Sequence, residues 1–140
     1  MKKNIIIFTS IIVIIFLIIL VFIKNVNKNN FPIYCESLII YDVEAPKEKL
    51  SNQELEKYIS NIKYYDITEY GIDCLHTSTR CNNMVLWKGD KLAIATSSEG
   101  EYVQLRISLY GDFFSIIGEK EYYVIDKSYK STWSEIINLK

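Results

Sequence analysis

Residues 102–110 read YVQLRISLY, and their alternation decides the fold. Val103, Leu105, Ile107 and Leu109 point one way, and Tyr102, Gln104, Arg106, Ser108 and Tyr110 the other. That is the period of a strand with one buried face. Working outward, Gly111-Asp112 marks a turn and FFSII at 113–117 a second strand. Gly118-Glu119-Lys120 leads into EYYVID at 121–126. On the other side, MVLWK (84–88) and KLAIATS (91–97) flank Gly89-Asp90 as the arms of a hairpin. Such short connections predict an antiparallel meander.

Further upstream, SLIIYDV (37–43) reads as a strand that ends at Ala45-Pro46. A helix follows. Ser51 is its expected N-cap, with Glu54 three residues on and Leu50 and Leu55 flanking them, a capping box with a hydrophobic staple. Leu55, Tyr58, Ile59 and Ile62 recur at helical spacing, so one face must pack. At the C-terminal end, Thr132 and Glu135 have capping-box spacing and predict a short final helix. The expectation is an α+β domain: an antiparallel meander of about five strands packed by one or two helices.

The N-terminal end differs in kind. Ile5 to Ile23 run IIIFTSIIVIIFLIILVFI, nineteen residues without a charge. As a helix this run is roughly 28 Å long, close to the hydrocarbon thickness of a bilayer. It exceeds a cleavable signal peptide's apolar stretch, and no small-residue cleavage site follows. Residues 1–23 therefore read as a cytoplasmic tail and single-pass signal-anchor, 24–32 as a polar tether, and 33–140 as the folded domain. Lys2 and Lys3 are nearly balanced by Lys24 and Lys28. The short tail before Ile5 favours a domain outside the cytoplasm, in the periplasm or extracellular space of a bacterium.

Composition narrows the function. Setting aside Lys2 and Lys3, the 16 basic residues fall to 14 against 17 acidic ones, a balance of −3. Nucleic-acid binding wants a basic face, so it is not expected. No phosphate loop, G-x-S-x-G, C-x-x-C or H-E-x-x-H occurs. The carboxylates Glu99 and Glu101, and Asp66, Glu69 and Asp73, sit where acids usually form solvated surface. No enzyme activity and no cofactor is expected.

The stretch CLHTSTRC (74–81) holds two of the three cysteines and the only histidine. Outside the cytoplasm, Cys74–Cys81 is the natural disulfide, closing an eight-residue polar loop, with Cys35 left over. A zinc site from Cys35, Cys74, His76 and Cys81 has the right ligand set but unusual spacing. The better lead is aromatic. Tyr102, Gln104, Arg106 and Tyr110 share the polar face of the strand, and Tyr and Arg are enriched at binding hot spots. The expected function is a membrane-anchored protein-binding domain, for example an immunity-type inhibitor of a toxin acting in the bacterial envelope. The alternatives are an accessory subunit of an envelope membrane complex and an enzyme of unknown type.

Overall fold

The computed structural model describes residues 11–21, 30–82 and 89–138. Helix α1 occupies residues 11–21. The folded domain then runs β1 (Cys35–Tyr41), α2 (Asn52–Ile59), β2 (Tyr64–Asp66), α3 (Thr68–Thr77) and β3 (Thr79–Cys81). It continues through β4 (Asp90–Ser97), β5 (Tyr102–Ser108), β6 (Phe113–Ile116), β7 (Tyr122–Val124) and α4 (Lys127–Ile137). All seven strands form one antiparallel sheet in the order β2-β1-β4-β5-β6-β7-β3. The α+β class and the meander from β4 through β7 match the sequence reading. The strand count does not, because the three-residue strands β2 and β3 are too short for an alternation to register. The predicted strand at 84–88 lies outside the described residues.

Helix α2 begins as its capping box requires. Ser51 Oγ accepts from the Glu54 amide, and Glu54 Oε2 accepts from the Ser51 amide at 2.9 Å. The last helix corrects the prediction. It starts at Lys127, because Asp126 Oδ1 accepts from the Ser128 amide at 2.9 Å, and Thr132 and Glu135 fall inside it. Helix α3 was not predicted. Its buried stripe, Gly71, Cys74 and Leu75 after Ile67, follows helical spacing, and Asp66 Oδ1 accepts from the Thr68 amide at its start. Gly71 lets α3 lie close to the sheet: a Cβ there would sit 2.6 Å from Leu38 Cδ2.

The alternation of 102–110 orients the core. Val103, Leu105 and Ile107 face α3 and α4 and pack with Leu38, Ile40, Leu75, Phe114, Trp133 and Ile137. Phe31 joins them, edge-on to Phe114 and Tyr123 at 5.4 and 5.3 Å. The packed domain thus begins earlier than residue 33. Asn30 bridges to Thr79 at the β3 edge, and the chain enters β1 at Cys35. Five residues reach at most about 18 Å. In a flat sheet β3 and β1 would stand roughly 24 Å apart. The sheet is therefore curled, and Phe31 fills its concave side.

The opposite face carries a smaller cluster of Ala45, Leu55, Leu92, Ile94 and Ile117 beneath α2. Three helices pack on this sheet rather than one or two. In α1, every residue from Ile11 to Val21 is an exposed large hydrophobic. The remainder of the apolar run, residues 5–10 and 22–23, lies outside the described residues, as do 24–29 of the tether. Among the described residues no helix is long and apolar enough to cross a membrane.

Candidate functional site

Cross-strand register sets which residues share the α2 face. Thr96 pairs with Tyr102, Ile94 with Gln104, and Leu92 with Arg106. Ile39 pairs with Ile94 on the other side, and Tyr41 with Tyr64. Side chains at these positions project together on one face. The sequence reading left that face wet. Instead, the segment between β1 and α2 crosses it and is tied down by polar side chains.

Gln104 is buried and grips Leu50 at both backbone atoms. Its Oε1 accepts from the Leu50 amide at 3.0 Å, and its Nε2 donates to the Leu50 carbonyl at 2.7 Å. Arg106 donates from Nη2 to the Pro46 carbonyl at 3.0 Å, and its Nε stands 3.0 Å from Asp90 Oδ2. Asp90 Oδ1 accepts from the Ala45 amide at 3.1 Å. Burial raises the Asp90 carboxyl above its ordinary value, outweighing the Ala45 hydrogen bond and the Arg106 charge. Gln104 and Arg106 are thus clasps for the crossing segment. The strand alternation placed them on the correct face, but only the crossing chain made them internal.

Of the other two expected binding residues, Tyr110 lies past the end of β5 and is exposed. It sits in an open hollow with Asp112, Lys127, Lys130, Ser131 and Ser134. Ser108 Oγ donates to Asp112 Oδ1 at 2.8 Å and accepts from the Tyr110 amide, which fixes that turn. Tyr102 is 45% exposed and stands elsewhere. It borders a cavity of about 200 Å³ between α2 and the sheet, lined by Ile39, Tyr41, Leu55, Glu56, Ile59, Ile94, Thr96 and Tyr102. Burial raises the Tyr41 phenol first, and the neighbouring phenols of Tyr64 and Tyr102 raise it further. The Tyr41 and Tyr64 rings lie 5.9 Å apart. Tyr58 braces the helix above, donating from its hydroxyl to the Glu44 carbonyl at 2.9 Å.

This cavity is the best-formed candidate site. Its lining is largely aliphatic, its walls include two tyrosines, and Glu56 is the only carboxylate among the described residues that line it. Sequence reasoning found Tyr102 and missed Tyr41 and Glu56. The helical stripe already named Leu55 and Ile59. Their placement opposite Tyr102 depends on α2 folding back across the sheet.

The histidine and cysteines do not converge as expected. Residues 74–77 are the last turn of α3 and 79–81 are strand β3, so CLHTSTRC is no open loop. Cys35, Cys74 and Cys81 are joined by no disulfide in this structure, so the Cys74–Cys81 bond expected from the sequence is not formed there. Cys74 is fully buried against the sheet, while Cys81 is on an edge strand. Burial pushes Cys35 up to about 11 and Cys74 up to about 12, Asp126 adding to the latter. Among the described residues no group of three or more His, Cys, Asp or Glu side chains is arranged to hold a metal ion. The Cys35, Cys74, His76 and Cys81 set is therefore not a ligand cluster.

His76 has its own role. Its Nε2 accepts from the Cys35 amide at 3.4 Å, and its ring stacks on Tyr34 at 4.9 Å. It anchors the segment entering β1, next to an open hollow lined by residues 30–34. Asp66 is held low by its hydrogen bonds to Thr68 at the start of α3; Glu69, Asp73, Glu99 and Glu101 are exposed. No protein-family model, curated protein or solved structure matches this chain.

Proposed function

We propose that residues 30–138 form a protein-binding module that takes hold of its partner at the Tyr41–Tyr102 cavity. In this reading the chain is anchored in the bacterial cytoplasmic membrane through Ile5–Ile23, with the module outside the cytoplasm. The observation that carries the binding reading is the cavity itself. It is a preformed, aromatic-walled recess on an otherwise tied-down face, and such recesses seat the anchor residues of partners. Exposed Tyr64 beside it extends the same surface. The anchor is supported by nineteen uncharged residues, of which 11–21 form a helix with exposed apolar side chains. Burial and raised thiol pKa values keep Cys35 and Cys74 from exchange chemistry, so their free state is compatible with an oxidising compartment.

The test is site-specific photocrosslinking in cells producing the full chain. A photoreactive phenylalanine at position 102 or 64 is expected to give a discrete protein adduct. The same residue at exposed Tyr70, on α3, is expected to give none. Equal adducts at all three positions, or none at 102 and 64, overturn the assignment. Resistance of the full chain to carbonate extraction checks the anchor. Loss of function on replacing residues 5–23 with an unrelated span, with the module still folded, would favour the accessory-subunit reading.

A further inference from the structure

We infer that the cavity between α2 and the sheet receives the alkylammonium end of a lysine side chain supplied by the partner. This rests on the binding reading above and adds the chemistry of the ligand. The volume of about 200 Å³ is below the range of sites for drug-sized ligands and cofactors. It suits a single side chain. Ile39, Leu55, Ile59 and Ile94 offer an aliphatic surface on which a methylene stem can lie. Tyr41 and Tyr102 supply aromatic rings, whose quadrupoles attract a cation.

Charge complementarity gives the sign. Among the described residues, Glu56 contributes the lining's one carboxylate, and no Lys or Arg lines the cavity. A partner carboxylate would meet Glu56 as a like charge. A purely apolar side chain would leave Glu56 without a counter-charge. Lysine fits better than arginine because its unbranched methylene stem and compact ammonium suit a small recess lined by four aliphatic side chains. The crossing segment leaves Arg106 out of this site, since its guanidinium is held by Pro46 and Asp90.

The test is NMR titration of the full chain with Nα-acetyl-lysine methylamide, its arginine counterpart and its uncharged norleucine counterpart. The chain is kept in a maltoside micelle, so that no cationic headgroup competes. Shifts are expected at Tyr41, Ile94 and Tyr102, with lysine binding about threefold or more tighter than norleucine. Glu56→Gln is expected to weaken lysine binding and so reduce that preference, and Tyr102→Ala to weaken both. Equal binding of lysine and norleucine, an unchanged lysine affinity in Glu56→Gln, tighter arginine binding, or no shift at these residues overturns the inference. A crosslink at position 102 without lysine selectivity would leave the binding module standing and remove only the cation. Absence of both would remove the module as well.

Discussion

The two faces of the sheet are built on opposite terms. The face under α3 and α4 is a continuous apolar core from Phe31 to Ile137. It is closed by dispersion and the removal of water. The other face has only a small cluster under α2 and is otherwise fastened by Gln104, Arg106 and Asp90. An apolar face closes wherever hydrophobic side chains meet. A polar clasp closes only where donors and acceptors align, and where it stops it leaves the Tyr41–Tyr102 cavity. Stability is concentrated on the first face, and the proposed recognition site lies on the second.

That contrast can be broken most forcefully at Trp133. Its side chain is fully buried, so Trp133→Ala is expected to cost about 3–5 kcal/mol, measured by denaturant unfolding. A loss below about 1 kcal/mol would show that α4 does not close the core. Arg106→Glu comes next. It breaks the contacts to Pro46 and sets a carboxylate beside Asp90, for an expected loss of about 2–4 kcal/mol. A variant of unchanged stability that no longer bound a partner would return Arg106 to the binding surface. Gln104→Leu strands the Leu50 amide and carbonyl and should cost about 1–3 kcal/mol, with faster hydrogen exchange at Leu50 as its signature.

Tyr102→Ala sharpens the comparison from the other side. Half-exposed Tyr102 should change stability by less than about 1 kcal/mol while weakening partner capture. A further test is alkaline. Cys35 and Cys74 keep their protons to about 11 and about 12, whereas unfolded thiols lose theirs near 9.0. The unfolded chain thus holds fewer protons above pH 9, and stability should fall as pH rises from there toward 11. Below pH 9 these thiols should have no effect. Urea midpoints compared with those of a double Cys→Ala variant isolate their contribution.

Much of this architecture was legible because local signals agreed with the fold. The Ser51–Glu54 cap and the Val103, Leu105, Ile107 alternation depend on residues two or three apart, and each came out as read. The errors arose where a long-range partner changed a residue's role. Cys74 and His76 suggested a loop, yet the stripe formed with Gly71 and Leu75 packs as a helix on β1. Thr132 had a capping neighbour, but Asp126 begins the helix earlier. Tyr102 and Arg106 looked equivalent, since a strand's period states only which face a residue shares.

Local sequence carried the α+β class, the start of α2, the β4-to-β7 meander and the inward direction of the core. It also isolated an uncharged N-terminal run. These follow from side-chain periodicity and local backbone hydrogen bonding. Long-range packing alone curls the sheet around Phe31, turns Gln104 and Arg106 into clasps, and sets Tyr41, Tyr102 and Glu56 around one recess. Those outcomes depend on where residues 42–59 cross the sheet. That path is set by contacts such as Leu50–Gln104, 54 residues apart in the chain, and a local pattern carries no record of them.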